Sequence, residues 1–383
     1  MDFDLSEEQQ LLKDSVEGFL SDTYGFEERK KIAALPGGWS PEVWGTFAEL
    51  GILGLPFAEE DGGFGGGAVE TMLVFESFGK HLVLEPYLAT VVLAGGVLKR
   101  AGSAEQKAAH IAAIAGGSST YALATTERHS RYDLFDVTTT AKKDGGSWVL
   151  DGEKAVVVHG GTADHLVVSA RTAGARRDKG GIGLFLVPAD AAGLSRRSSP
   201  TQDGTHAAEV TLSGVRVDAV HVLGDPEGGL PVLEAVADEA IAALCAEAVG
   251  AMSELTDVTV DYLQQRKQFG INIGQFQALQ HRAAEMFVAL EQARSMAMFA
   301  AMTAATEDAR ERRALASAAK VQIGRSAKFI GQQGIQLHGG IGMTMEYKAG
   351  HYFKRLTMID TLFGDADHHI SEVADFGRLV AAA

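Results

Sequence analysis

Two well-separated segments carry the residues best suited to hold an anionic group. The first is Arg266-Lys267-Gln268-Phe269-Gly270, followed by Phe276-Gln277 and Gln280. It is a cationic break, ended by glycine, between two helical patterns. The second, Gln336-Leu337-His338-Gly339-Gly340-Ile341-Gly342, is a glycine-rich exit from a third. An arginine pairs with phosphate through parallel N–H bonds, and glycines let backbone amides approach an anion closely. Together the two segments suit a pyrophosphate, although a Gly-Gly-x-Gly after a helix is also an ordinary helix cap. Near the C-terminus Asp365, Asp367, His368 and His369 form a third cluster. A carboxylate there could act as a general base, and Asp is equally favoured as a helix N-cap. The two histidines have no carboxylate or cysteine cluster at ligand spacing, so no metal site is expected.

Bulk properties narrow the partners. The chain has 383 residues, 46% of them hydrophobic and 22% charged, with a formal net charge of -16. Such a length supports two or three domains, and the acidic balance argues against nucleic acid as a partner. Cys245 is the single cysteine, which excludes an intramolecular disulfide and suits a reducing cytoplasm. The opening Met1-Asp2-Phe3-Asp4 lacks the basic-then-apolar pattern of a signal peptide. The apolar stretch from Val83 to Leu98 contains Glu85 and Pro86 and is too short to span a bilayer. A cytoplasmic protein with no membrane insertion is expected.

The elements that must position these residues follow from periodicity. Ser6-Glu7-Glu8-Gln9 is a capping-box pattern, and Leu11, Leu12, Val16, Phe19 and Leu20 recur at helical spacing. Residues 1–115 read as helical, interrupted by a glycine-punctuated segment from Leu55 to Gly67 that reads as a flexible connector. Short runs then suggest strands: Tyr121–Ala124, Asp136–Thr140, Ser147–Leu150, His165–Val168 and Leu184–Val187. They form an all-β insert reaching about Leu223. Helical patterns return over Leu230–Gln265, Gln275–Thr306 and Asp308–Leu337. In the second of these Phe276, Leu279, Ala283, Phe287, Leu290 and Ala297 fall on one face. With a shorter C-terminal segment they suit a four-helix bundle. The expected fold is α+β in three parts: an N-terminal helical domain (1–118), a middle β-barrel-like domain (119–226) and a C-terminal helical bundle (227–383).

This order, and the two opening segments within it, resemble the acyl-CoA dehydrogenase family over the whole chain. Gly152-Glu153-Lys154 is similar to the family's Asn-Gly-x-Lys turn, and Leu223 to Gly229 to its link into the bundle. The resemblance implies an FAD-dependent α,β-desaturation of an acyl-CoA thioester, with an electron-transfer-flavoprotein-type acceptor. A carboxylate removes the α-proton while the β-hydrogen leaves as hydride to the flavin. It assigns FAD contacts to Thr126, Arg266, Phe269, Gln277, Gln336, Gly339 and Gly340, those in the C-terminal half reaching a neighbouring subunit's flavin.

The chain departs from the family where the chemistry should be. Counting from Arg355 places Gly364 at the family's usual catalytic Glu, with Asp365 beside it. The family's alternative position falls on Ala240, beside Glu239. The family's Thr-Glu-Pro-x-x-Gly-Ser-Asp reads Thr126-Glu127-Arg128-His129-Ser130-Arg131-Tyr132-Asp133, its Trp-Ile-Thr-Asn reads Val156-Val157-Val158-His159, and the Thr after Glu-Gly becomes Ala366. Residues that hold a subunit's own flavin are changed, whereas those donated to a neighbour are kept. The chain is similar to small subunits of bacterial heteromeric acyl-CoA dehydrogenases of the pimeloyl-CoA type, which share an opening like Met1 to Leu5 and a stretch like Leu362–His369. The resemblance thus implies a base-less subunit in an assembly of four chains. A homotetramer using Asp365 as base and a non-enzymatic scaffold of the same fold remain open alternatives.

Overall fold

The computed structural model describes residues 5–377; the acidic opening, Met1 to Asp4, lies outside the described residues. In chain order the helices and strands begin with α1 (Glu7–Thr23), α2 (Phe26–Ala33), α3 (Pro41–Glu49), α4 (Ala68–His81), α5 (Gly95–Ala101) and α6 (Ala104–Ala115). A sheet follows, from β1 (Tyr121–Ala124), β2 (Thr140–Asp144), β3 (Ser147–Val158), β4 (His165–Arg171), β5 (Ile182–Pro188), β6 (Leu194–Pro200) and β7 (His206–Asp218) to β8 (Val222–Leu223). Helix α7 (Gly229–Gln265) leads to the hairpin β9 (Lys267–Gln268) and β10 (Ile271–Asn272), then to α8 (Gln277–Thr303), α9 (Ala309–His338), α10 (Lys348–Thr361) and α11 (Ala366–Gly377). The helical–sheet–helical order expected from periodicity is therefore present. By contacts the chain divides into two compact units, one of residues up to Lys30, Ala68–Val83 and from Ile241 on, the other of Lys31–Gly67 and Leu84–Ala240.

The first unit is helical. Helix α1 begins with the expected capping box, in which the Gln9 amide donates to Ser6 Oγ (3.2 Å) and the Ser6 amide to Gln9 Oε1 (3.0 Å). Helices α4 and α7 cross where side chains are absent from both: an added Cβ at Gly79 would lie 1.8 Å from the Glu247 carbonyl oxygen, and one at Gly250 1.8 Å from that of Glu76. Only glycine permits backbones that close. The helix α8 differs from its expected face. Its buried stripe is Met286, Leu290, Ala293, Ala297, Ala300 and Ala301, so Leu290 and Ala297 are inside, whereas Phe276 is exposed and Phe287 is 58% exposed. The apolar repeat of its N-terminal half looks outward from the unit. Helices α8 and α9 are joined through Arg282 and Gln333 (3.1 Å) and through Ser326 and the Ala289 carbonyl (3.0 Å).

The second unit holds the sheet, ordered β6-β7-β3-β2-β4-β5-β8 with β1 paired in parallel to β4. Ala122, Leu150, Leu166, Val168, Phe185, Val210 and Val215 are among its fully enclosed core residues. The expected strand over Asp136–Thr140 begins only at Thr140. The amides of Thr138 and Thr139 are taken by the Glu127 carboxylate (2.9 and 3.0 Å), which removes them from any ladder. The segment from Leu55 to Gly67 is also not an open connector. Its amides turn onto its own carbonyls, Gly63 N to Ala58 O (2.9 Å), Gly65 N to Phe57 O (2.8 Å) and Gly66 N to Leu55 O (2.8 Å).

Candidate functional site

The arginine-led and glycine-rich segments both lie in the helical unit, and the end of α7 just before the first touches the second. Tyr262, one turn before Arg266 on α7, lies with its ring 4.7 Å from that of His338 at the end of α9. Beyond Tyr262 the chain turns through β9 and β10, antiparallel with Ile271 opposite Gln268. Phe269 at the tip has φ +55 and is 90% exposed, a backbone conformation uncommon for a bulky residue. Its ring meets that of Phe276 edge-on at 6.1 Å. Arg266 is exposed, and among the described residues its guanidinium has no ion-pair partner. Gln277, Gln336, Gly339 and Gly340 are exposed as well. An added Cβ at Gly339 or Gly340 would meet nothing within 4 Å, so the turn after α9 is open to a group from outside. A free guanidinium and an uncovered glycine turn are each chemically suited to a phosphate group. Thr126 belongs to the other unit, where its carbonyl accepts the Ala155 amide (2.8 Å).

The loop around Gly364 is closed in by its neighbours. Phe363 has φ +59 and Gly364 φ +118. A Cβ at Gly364 would lie 2.5 Å from His368 Cδ2 and 2.6 Å from His369 Nε2, leaving no space for a side chain. Asp365 is the N-cap of α11, accepting the His368 amide on Oδ1 (2.9 Å) while its carbonyl accepts the His369 amide (3.1 Å). His369 is buried and bridges Ser317 Oγ (2.9 Å) and the Phe363 carbonyl (3.1 Å). Burial, followed by the charges of Arg313, Lys320 and His368, holds its imidazole down to about 3, so it is neutral at pH 7. The alternative position, Ala240, is buried, and Glu239 beside it pairs with Arg100 and Lys99.

In the sheet unit two residues near Thr126 stand at positive φ. Arg131, where the family has Gly, has φ +47, and its guanidinium lies 5.9 Å from the Tyr132 ring centre. Val156 has φ +54, a conformation rare for a β-branched residue, at a register shift between Lys154 and Val157. Behind them Glu127 and Lys154 form a buried pair (2.8 Å). Burial alone would raise the Glu127 carboxyl, but Lys154, Thr138 and Thr139 bond its charged form and hold it at about 2. With Lys154 also donating to the Thr125 carbonyl and Ser169 Oγ (3.3 and 3.2 Å), this network fixes the segment around Thr126. A polar cavity of about 280 Å³ opens beside it, lined in part by Arg128, His129, Glu153 and Glu209.

Comparison with known proteins decides the family. Residues 6–118, 122–220 and 227–377 match the N-terminal, middle and C-terminal domains of acyl-CoA dehydrogenases. The chain belongs to the acyl-CoA dehydrogenase family. It is 32% identical over 358 residues to the probable acyl-CoA dehydrogenase YngJ of Bacillus subtilis, covering 91% of this chain and 92% of that protein. Among solved structures it superimposes on a Tcur3481–Tcur3483 steroid ACAD variant with a TM-score of 0.87 at 29% identity, over 98% of this chain and 99% of the other. It superimposes on the FAD complex of PigA with a TM-score of 0.90 at 25% identity, over the full length of both. Its three-part fold is that of the family. Among the described residues no helix is long and apolar enough to cross a membrane.

Three residues of this acyl-CoA dehydrogenase family member were not singled out from the sequence. Glu247 pairs with buried Arg355 through two bonds (2.6 and 2.7 Å). Lys320, fully buried, donates to the carbonyls of Ile359 and Leu362, the latter at 3.0 Å. Ser317 orients His369. A charged residue within an otherwise small and apolar helical face, as in Ala314–Ala319 before Lys320, was the available signal.

Proposed function

We propose that this chain is the base-less subunit of a heteromeric FAD-dependent acyl-CoA dehydrogenase. In this reading Arg266, Phe269, Gln277, Gln336, Gly339 and Gly340 complete the FAD site of a partner that carries the base. The observation that carries it is the loop at Gly364, where His368 and His369 occupy the space a side chain would need and the adjacent Asp365 caps a helix. The exposed Phe269 and open Gly339-Gly340 turn support donation to another chain, as does the outward apolar half of α8. The double name of the steroid ACAD neighbour accords with a two-chain assembly and with a bulky, ring-bearing acyl-CoA as substrate. Bound FAD would supply the hydride acceptor, and Arg266 with the Gly339 and Gly340 amides would hold its pyrophosphate. Thr126, fixed by the Glu127 network, keeps a cofactor-facing place in this chain's own middle region. We retain the domain division 1–118, 119–226 and 227–383, two copies each of this chain and its partner, a cytoplasmic location and an electron-transfer flavoprotein as acceptor.

The test is flavin content. Purified alone, the chain should be colourless, and co-expressed with a base-bearing dehydrogenase it should copurify as a yellow complex. Yellow, active protein from this chain alone would instead support a homotetramer with Asp365 as base. Asp365→Asn discriminates further. In the assembled enzyme turnover should stay within a few-fold of wild type, because the side chain's work is capping. A general base would be worth about 10²–10⁴-fold, and a loss of that size with FAD still bound would overturn the assignment.

Arg266→Ala should weaken FAD retention by the complex by about 10–100-fold, since charge-assisted hydrogen bonds are worth about 1.5–3 kcal/mol each. Occupancy after exhaustive dialysis is the measurement. Unchanged occupancy with unchanged thermal stability would remove the arginine from the cofactor site.

A further inference from the structure

The elements around Gly364 form a grip on its loop from one face of α9. Ser317, Lys320 and Gly324 stand at i, i+3 and i+7 and therefore share that face. Each meets a different part of the segment from Ile359 to His369. Lys320 Nζ donates to the Ile359 carbonyl and to the Leu362 carbonyl (3.0 Å), so its ammonium replaces the turn that would continue α10. Gly324 leaves room for Asp360, whose Oδ1 would be 2.2 Å from an added Cβ. Ser317 Oγ bonds His369 Nδ1 (2.9 Å), and His369 Nε2 reaches the Phe363 carbonyl (3.1 Å). The carbonyl acceptor requires the proton on Nε2, so Nδ1 accepts from the serine hydroxyl. The carbonyls of Leu362 and Phe363 are thus held immediately before Gly364, and the helix cap at Asp365 holds the chain immediately after it.

Such restraint has a purpose only if the loop would otherwise relax. A non-glycine residue at positive φ costs about 1–3 kcal/mol and persists where its surroundings over-determine it; Phe363 is one, and Gly364 follows it. We propose that Lys320 and His369 are positioning residues that lock the loop Leu362–Asp365 in the conformation that keeps a side chain out of position 364. The inference deepens the base-less reading: the missing carboxylate is accompanied by a built restraint, and the loop is not an idle remnant.

The test is coupling between the lock and the space it closes. In the full chain, unfolding free energies are measured for wild type, Gly364→Ala, His369→Gln and the double variant, with amide exchange followed over 359–369. Gly364→Ala should destabilise wild type because its Cβ meets His369. With His369→Gln, whose longer and thinner side chain can swing aside, the added loss on Gly364→Ala should fall by at least threefold in equilibrium constant. His369→Gln and Lys320→Met should each speed exchange of the 362–366 amides by at least tenfold while α8 and α9 keep wild-type protection. If Lys320→Met does not fold, Ser317→Ala, which removes only the hydroxyl bonded to His369 Nδ1, should give the same local pattern more weakly. Additive free energies together with unchanged exchange over 362–366 would overturn the proposal. Because none of these readouts uses turnover, they stand apart from the base-less assignment, which fails instead if this chain alone oxidises an acyl-CoA.

Discussion

Gly364→Glu is expected to destabilise the protein and to add no dehydrogenase activity. In the proposed reading the substitution supplies the carboxylate that a base at this position would need. Here the new Cβ would lie 2.5 and 2.6 Å from the two histidine rings, on a backbone with φ +118. Overpacking of about 1–3 kcal/mol and backbone strain of about 1–3 kcal/mol give a loss of roughly 2–6 kcal/mol. Urea denaturation measures the loss, and flavin reduction by acyl-CoA measures the activity. A stable Gly364→Glu protein that bleaches bound flavin would show that the loop opens readily and that the chain is one substitution away from self-sufficiency.

The second large effect concerns Glu247 and Arg355. Both are buried, and two short bonds join them. Glu247→Ala removes both of these bonds from the enclosed guanidinium, which should lower stability by about 3–5 kcal/mol. The double variant Glu247→Leu/Arg355→Met should recover most of that loss, since well-packed apolar replacements of a buried pair are often neutral. If the double variant is no better than Glu247→Ala, the pair contributes through packing that Leu and Met do not reproduce. The position matters because Arg355 lies one turn before Ile359, whose carbonyl Lys320 holds.

Much of this molecule was legible in its sequence because its signals are local. The capping box at Ser6–Gln9, the change of period near Tyr121 and the three long helices all follow from neighbours within a turn or two. So does the glycine-ended break at Arg266, whose exposed hairpin carries Phe269 at a positive φ that no apolar pattern would announce. What was not legible depends on partners distant in sequence. The start of β2 is set by Glu127, a residue upstream that claims two amides. The face of α8 was misjudged at Phe287 because a 3.6-residue repeat fixes which residues share a stripe and not how far along the helix that stripe is covered. The closing of position 364 rests on His369 meeting Ser317 on another helix. Counting along the chain identified Gly364 as the place of interest, and only packing explains why glycine stands there.

The folded-in glycine loop between Leu55 and Gly67 has a practical corollary. Glycine runs are usual choices for attaching an affinity handle or a fluorophore, but an extra Cβ at Gly63 would fall 2.3 Å from the Phe57 carbonyl oxygen, so an insertion there would prise the segment from its own backbone. The turn between β2 and β3 is the better site. Gly145 and Gly146 have nothing within 4 Å of an added Cβ, and Lys143 and Asp144 before them are exposed. A reporter at this turn would displace no packed backbone.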